Sequence, residues 1–213
     1  MVRVKICGIT SARDAAMAVD LGVDALGFIF APSPRRVSPE NARMIVDCLP
    51  PFVHTVGVFV NQDVRIIQDI VDFCGLDLIQ LHGDESPEFC RTLMPRTIKA
   101  FRLKDLSSLV PFRPYQGKVR ALLLDTYQHG IRGGTGKTFD WRLAVGIREL
   151  GVPIILSGGL GPSNIKNAIT TVKPYGVDLN SGIESRPGRK DPELMKQLME
   201  RINRIRSGGC FNA

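Results

Sequence analysis

Two residues with acid–base side chains stand where apolar segments of this 213-residue chain end. Cys7 closes the alternating segment Val2–Ile6, and Asp125 closes the wholly apolar segment Ala121–Leu124. Such segments predict β-strands. A thiolate can remove a proton and a carboxyl group can supply one, so the pair could move protons on a substrate if the fold brings them together.

The residue pattern leaves a structural role open for both side chains. Most cysteines are buried packing residues, and the three that lie in or near helical segments are interpreted in that way. Cys7 differs because it ends a strand near Lys5, where a thiolate could be stabilised. Asp125 could instead accept hydrogen bonds from loop amides.

Glycine-rich turns follow the last two predicted strands, at 157–161 and 180–182. Without side chains the backbone can approach a ligand closely, and its amides can surround a phosphate group. Tight turns without a ligand are the alternative. Two such turns on neighbouring strands favour phosphate binding. The predicted phosphate-binding residues are Gly158, Gly159, Ser181 and Gly182.

Three further polar residues follow or lie within predicted strands near the same edge. Arg36 stands in a proline-stiffened loop, and its guanidinium is suited to a substrate carboxylate, whereas Arg35 is expected to be solvated. His82 has no histidine or acidic cluster at metal-ligand spacing, so a hydrogen-bonding role beside the substrate is predicted, and no metal site. Asp178 belongs to the eighth strand.

The elements that must position these residues alternate along the chain as about eight strand–helix units. The pattern predicts the α/β class and a single-domain (β/α)₈ TIM barrel of eight parallel strands over residues 1–206. Residues 207–213 are expected to form a flexible tail. Pro111, Pro114 and Gly117 predict that the fifth helix is short or missing. An open doubly wound sheet is the alternative.

Composition limits the partners and the compartment. The net charge of +7 is spread along the chain, which favours attraction to small anions over nucleic-acid binding. Five scattered cysteines suggest neither a disulfide framework nor a zinc site, and indicate a reducing compartment. An apolar run of about 18 residues, as a membrane span requires, is missing. The start of the chain leaves no room for a signal peptide, so a cytoplasmic protein is predicted.

The glycine-rich segment Gly133–Thr138 invites comparison with a nucleotide-binding P-loop. That motif requires glycine at position 131, where the chain has Ile131, and a strand ending nearby. Nucleotide binding is therefore rejected, and a mobile lid over the site is predicted instead.

Taken together in chain order, these motifs closely resemble phosphoribosylanthranilate isomerases of tryptophan biosynthesis. The resemblance rests on the segments Lys5–Thr10, Gly27–Phe30, Ser33–Arg36, Gly57–Phe59, Gln80–Gly83, Leu124–Asp125, Gly133–Gly136, Leu156–Leu160 and Asp178–Glu184. It covers nearly the whole chain. Asn180 departs from it, because family members more often have serine there.

The resemblance implies a cofactor-independent Amadori rearrangement of N-(5-phosphoribosyl)anthranilate to 1-(2-carboxyphenylamino)-1-deoxyribulose 5-phosphate. By the same resemblance Asp125 would be the general acid and Cys7 the general base. Arg36 would hold the anthranilate carboxylate, and the two glycine turns would hold the phosphate. His82 and Asp178 would line the site.

Two rival functions and the assembly state remain open. The isomerase of histidine biosynthesis catalyses a similar reaction but is expected to use two carboxylates, and Cys7 argues against it. A non-catalytic protein that binds a phosphorylated ligand would use Cys7 for packing and Asp125 for capping. The expected partner is a small anionic phosphosugar, and the chain is a monomer or a homodimer.

Overall fold

Eight parallel strands form a closed barrel in chain order in the computed structural model, which describes residues 1–103, 110–125 and 141–208, without the side chains of 141–143 and 208. The strands are β1 (Arg3–Cys7), β2 (Ala25–Ile29), β3 (His54–Phe59), β4 (Leu78–Leu81), β5 (Thr97–Arg102), β6 (Ala121–Asp125), β7 (Ile154–Ser157) and β8 (Gly176–Leu179). The predicted (β/α)₈ barrel is confirmed. The open doubly wound sheet is excluded because β1 pairs with β8.

Helices follow most strands and pack around the barrel. They are α1 (Ala12–Asp20), α2 (Pro39–Val46), α3 (Val64–Cys74), α4 (Pro87–Thr92), α5 (Trp141–Ile147), α6 (Ile165–Val172) and α7 (Pro192–Gly208). Ser11, Ser38 and Ser86 cap the amino ends of α1, α2 and α4 by accepting backbone N–H bonds. Within the described residues, none of the helices is long and apolar enough to cross a membrane.

One connection between strands agrees with expectation and another differs from it. Between β5 and β6 the described residues contain a single short 3₁₀ turn, Arg113–Tyr115, as the prolines predicted. After β8, where a loop was predicted, Glu184–Arg186 (β9) and Arg189–Lys190 (β10) form a small antiparallel hairpin with an irregular register. Strands of three and two residues are too short to produce a readable periodicity.

Two predictions fall partly or wholly on residues outside the described ranges. The glycine-rich segment expected to form a lid lies there, and so do the last five residues, 209–213. Helix α7 continues to Gly208, two residues past the predicted domain end at 206. The division into residues 1–206 and a tail stays a prediction.

Side chains alternate between the inside of the barrel and the layer of helices. On β1, Val4 and Ile6 belong to the large core under the helices, whereas Lys5 and Cys7 point into the barrel. An apolar layer fills the middle of the barrel. It consists of Val56, Ile98, Ala100, Ala121, Leu123 and Ile155. Polar side chains lie above this layer, at the carboxyl ends of the strands, where the predicted site residues also lie.

A buried ion pair on the outer side of the barrel fixes two loops of the barrel mouth. Lys99 on β5 donates to the Gly83 carbonyl at 2.6 Å and to Glu85 Oε2 at 2.9 Å. Glu85 in turn accepts from the backbone amides of Asn61 and Gly83. The loops after β3 and β4 are therefore tied to β5, and the second of them carries His82.

Candidate active site

A cavity of about 290 Å³ opens at the carboxyl ends of the strands, where barrel enzymes place their reactive groups. It is lined by Cys7, Ile29, Arg35, Val58, Gln80, His82, Asp125, Ser157, Gly158, Gly159, Leu160, Asp178, Asn180, Ser181 and Gly182. Every site residue predicted from the sequence lines this cavity except Arg36. The fold thus brings the thiol, the carboxyl group and the glycine turns into one space.

Strand β1 places Lys5 and Cys7 inside the barrel because residues two apart share a face, and Cys7 lines the cavity. Lys5 Nζ donates to Gln80 Oε1 on β4 and to Asp178 Oδ1 on β8, each at 2.9 Å. Cys7 lies one pleat higher, beside Gly27 of β2. A Cβ atom at Gly27 would lie 2.8 Å from Cys7 Sγ and 3.0 Å from Lys5 Cε. Glycine at this position allows the two side chains to pack against β2.

The charges around β1 act on Cys7 in opposite directions. Burial is the largest effect and raises the pKa of the Cys7 thiol, while the neighbouring Lys5 ammonium lowers it; Asp178 adds to the rise. The net result is a thiol pKa above its ordinary value. Burial also opposes the charge on Lys5, but Asp178 and Cys7 outweigh it and keep the pKa of Lys5 raised.

His82 and Asp125 form a second pair, at the ends of β4 and β6. His82 Nε2 lies 3.4 Å from Asp125 Oδ2, and His82 Nδ1 lies 3.1 Å from Gln80 Nε2. Since Gln80 Oε1 accepts from Lys5, its amide nitrogen donates to Nδ1, and the imidazole proton belongs on Nε2, facing Asp125. Polar contacts therefore run without a break from Asp178 through Lys5, Gln80 and His82 to Asp125.

The two glycine turns lie against each other beside the cavity. Gly158 and Gly159 adopt φ angles of +95° and +64°, a region that L-residues with side chains rarely occupy. The side chain of Asn164, the N-cap of α6, accepts from the Gly161 amide at 2.9 Å and donates to the Gly159 carbonyl at 3.0 Å. The second turn, Ser181–Ile183, is a 3₁₀ turn whose Gly182 contacts the Leu160 carbonyl.

The structure separates the two arginines of the β2–α2 loop. Arg35 lines the cavity and forms a bidentate ion pair with Glu184, so the expectation that it is solvated is wrong. Arg36 is exposed, and its backbone bridges to Ile29. The preceding prolines gave no sign that the first arginine, rather than the second, turns toward the barrel.

Sequence reasoning missed Gln80, which lines the cavity, and Lys190, which is bound to the lining residue Asn180. Lys190 on β10 is fully buried and donates to Asn180 Oδ1 and Glu184 Oε1, each at 3.0 Å. Burial lowers the pKa of Lys190, although Glu184 acts in the opposite direction. The only sequence signal was position, because Gln80 has the parity of the inward residues of β4. Lys190 lies in the unpredicted hairpin and offered no signal.

Two buried acidic groups near the cavity, Asp178 and Glu184, are paired with cations of the protein. Asp178 faces Lys5, and Glu184 faces both Arg35 and Lys190. Within the described ranges, histidine, cysteine, aspartate and glutamate side chains do not form a group of three or more that could hold a metal ion. The cavity instead presents hydrogen-bond donors from side chains and glycine-rich backbone.

A family model described as N-(5'-phosphoribosyl)anthranilate (PRA) isomerase matches residues 4–201. The chain belongs to this family. Membership confirms the resemblance seen in the sequence and makes the protein an isomerase of tryptophan biosynthesis.

Individual relatives agree with this assignment over almost their full length. The N-(5'-phosphoribosyl)anthranilate isomerase of Geobacter sulfurreducens is 54% identical over 202 residues, which cover 94% of this chain and 98% of the relative. A solved phosphoribosylanthranilate isomerase in complex with reduced 1-(o-carboxyphenylamino)-1-deoxyribulose 5-phosphate is 41% identical, with a TM-score of 0.85, covering 95% and 99% of the two chains. Monomers generated from the dimeric enzyme of Thermotoga maritima are 40% identical, with a TM-score of 0.84 and the same coverage.

The contact between the glycine turns can be tested with two matched substitutions. In Gly182→Ala the added Cβ would collide with the Leu160 carbonyl, whereas in Gly161→Ala it would meet Gly182 atoms at 3.5 Å and beyond. We expect Gly182→Ala to lower the free energy of unfolding by about 1–3 kcal/mol, the usual cost of overpacking, and Gly161→Ala to cost much less. Denaturant unfolding measures both. Equal losses in the two variants would show that the turns are not in tight contact.

Proposed function

We propose that this family member catalyses the Amadori rearrangement of N-(5-phosphoribosyl)anthranilate to 1-(2-carboxyphenylamino)-1-deoxyribulose 5-phosphate, with Asp125 as general acid and Cys7 as general base. The observation that carries the proposal is the single cavity that joins Cys7, Asp125 and both glycine turns. The relative solved with the reduced product supports the substrate class, since that compound has a carboxylate at one end and a phosphate at the other.

Asp125 is suited to the first proton transfer. In this step a carboxyl group protonates the ribose ring oxygen, the bond from that oxygen to C1 breaks, and the open chain becomes a Schiff base with the anthranilate nitrogen. The contact from His82 Nε2 holds the Asp125 carboxyl group in a fixed orientation at the end of β6. Fixed orientation of the acid is a large part of what general acid catalysis requires.

Cys7 is suited to the second transfer. As a thiolate it removes the proton from C2, and the electrons of that bond form an enolamine by neutralising the Schiff base. The enolamine then tautomerises, losing the proton of the C2 hydroxyl and gaining one at C1, which gives the ketone. Cys7 and Asp125 reach the cavity from β1 and β6, which β7 and β8 separate in the barrel. The two groups therefore approach different parts of one substrate.

The phosphate of the substrate is assigned to Gly158, Gly159, Ser181 and Gly182. The positive φ angles of the first pair turn the backbone sharply beside the cavity, where its amides can approach an anion. His82 and Asp178 line the same cavity and are proposed to contact the substrate there. The proposed steps need no organic cofactor or metal ion, because the protons move between the substrate and the side chains of Asp125 and Cys7.

The proposed roles of Cys7 and Asp125 predict a loss of turnover without a loss of fold. Cys7→Ala and Asp125→Asn remove the base and the acid while nearly keeping their volumes. We expect each to lower kcat by at least about two orders of magnitude, the scale of general acid–base catalysis. The decrease of anthranilate fluorescence during isomerisation measures turnover, and circular dichroism checks the fold.

Cys74→Ala is the matched control for this experiment, because Cys74 is a buried thiol on α3, away from the cavity. It should retain turnover. Unchanged activity in Cys7→Ala would falsify the base assignment. Activity on the histidine-pathway substrate alone would instead support the rival isomerase, and binding of the product without turnover in the wild type would support a non-catalytic protein.

Arg36 is proposed to hold the anthranilate carboxylate, and its neighbour provides the control. Arg36 is exposed on the loop beside the cavity, whereas Arg35 is committed to Glu184. We expect Arg36→Ala to raise KM about tenfold or more with little change in kcat, as loss of a charged hydrogen bond to bound substrate predicts. Arg35→Ala should mainly lower the free energy of unfolding. The reverse pattern would assign the carboxylate to Arg35.

The cellular location and the assembly state of the protein are also proposals. A cytoplasmic location is supported by the free thiols of all four described cysteines.

A homodimer is supported by the dimeric relative from Thermotoga maritima and by an apolar face at the amino ends of the strands. There, a cavity of about 250 Å³ is lined by Phe52 and Tyr175, whose residues are 94% and 58% exposed.

The homodimer proposal predicts that a change at this face alters the mass in solution. Phe52→Ser removes the most exposed aromatic ring of the cavity without touching the barrel core. We expect the wild type to sediment as a dimer at micromolar concentration and Phe52→Ser to shift toward the monomer. Phe73→Ser, at an exposed phenylalanine on α3, is the control and should leave the mass unchanged. A monomeric wild type would contradict the proposal.

A further inference from the structure

The buried ammonium group of Lys5 is hydrogen-bonded to side chains of two other strands and lies near Cys7 on β1. Its Nζ atom donates to Asp178 Oδ1 and to Gln80 Oε1, each at 2.9 Å. The Lys5 side chain also lies beside the thiol, because a Cβ atom built at Gly27 of β2 would meet Cys7 Sγ at 2.8 Å and Lys5 Cε at 3.0 Å.

We propose that Lys5 is a positioning residue that holds the negative charge of the Cys7 thiolate in the barrel mouth, and that Asp178 limits this effect by competing for the same ammonium group. This inference rests on the proposed role of Cys7 as base and extends it. In this role Lys5 acts through Cys7 and does not need to contact the substrate.

Burial makes such a partner necessary. Cys7 is 4% exposed and Lys5 is 5% exposed, so water stabilises neither charged form well. A thiolate in an apolar site without a cation would be strongly disfavoured. On the inner face of β1, Lys5 and Cys7 are two residues apart, and the backbone of the strand keeps them together whether or not substrate is present.

Other charged groups face Cys7 from the remaining elements and must be considered. Asp178 on β8 opposes the thiolate, and Lys190 on β10 favours it through its charge. His82 and Asp125 lie across the same cavity. Gly27 on β2 contributes no charge. Lys190 is already bound to Asn180 and Glu184, whereas Lys5 shares the inner face of β1 with Cys7 and packs beside it against Gly27.

The inference predicts shifts of opposite sign in two variants. In Lys5→Met the pKa of the Cys7 thiol should rise by at least about one unit, because an opposite charge within a few ångströms is worth about 1–3 units. In Asp178→Asn it should fall, since the competing carboxylate is gone and Lys5 keeps its charge. Gln80→Met removes a neutral partner of Lys5 and disturbs the packing similarly, and it should shift the thiol much less.

The thiol can be titrated without substrate by carbon-13 NMR of protein labelled at the cysteine Cβ, with Cys7→Ser to assign the signal. The rising limb of kcat/KM against pH should move in the same direction as the titration, because this limb reports the base of the free enzyme. A purely structural role of Lys5 would lower activity in both variants without shifts of opposite sign.

Every outcome of the titration bears on the inference. An upward shift in Lys5→Met with a downward shift in Asp178→Asn supports it; no shift in Lys5→Met, or shifts of the same sign, overturns it. If Lys5→Met does not fold, the Asp178→Asn shift decides alone, and an upward or absent shift overturns the inference. Failure of the proposed function appears separately, as full turnover in Cys7→Ala, because the NMR titration needs no catalysis.

Discussion

The mouth of the barrel depends on the burial of one ammonium group, that of Lys5. Removing an ammonium ion from water costs several kcal/mol unless hydrogen-bonding partners surround it. Asp178 supplies one partner from the neighbouring strand β8, and Gln80 supplies another from β4 on a distant part of the barrel. These partners meet only when the barrel is closed in the observed register. Closing the sheet and assembling the site are therefore the same structural event.

The inside of the barrel divides into an apolar middle and a polar mouth for the same reason. Branched and small apolar side chains such as Val56 and Leu123 fill the middle, where no polar partner is available. One pleat further along the strands, Leu123 gives way to Asp125 and Ile155 gives way to Ser157, and both polar residues line the cavity. Because side chains on one face of a strand recur every second residue, β6 and β7 each supply an apolar residue to the middle of the barrel and a polar residue to its mouth.

The sequence allowed the fold and most of the site to be predicted because those features depend on local patterns. Cys7 and Asp125 end readable strands, and a parallel barrel gathers strand ends at one edge. Partner choice could not be predicted in this way. The ion pair of Arg35 with Glu184 spans 149 positions of sequence, and Lys190 lies in a hairpin whose strands have only three and two residues. Such contacts are decided by the tertiary structure, so a solvated Arg35 was a reasonable but wrong expectation.

The pairing of these charges bears on how the mouth could attract an anionic substrate. The buried cations Lys5 and Lys190 are each matched by a carboxylate, and half-buried Arg35 shares Glu184 with Lys190. Little uncompensated positive charge is left at these positions to hold a phosphate. The net charge of +7 can steer an anion over longer range, but it does not select a site. If the proposed function holds, backbone amides at Gly158 and Gly182 would be the donors that fix the phosphate, and the conformational freedom of glycine would then matter more here than another lysine.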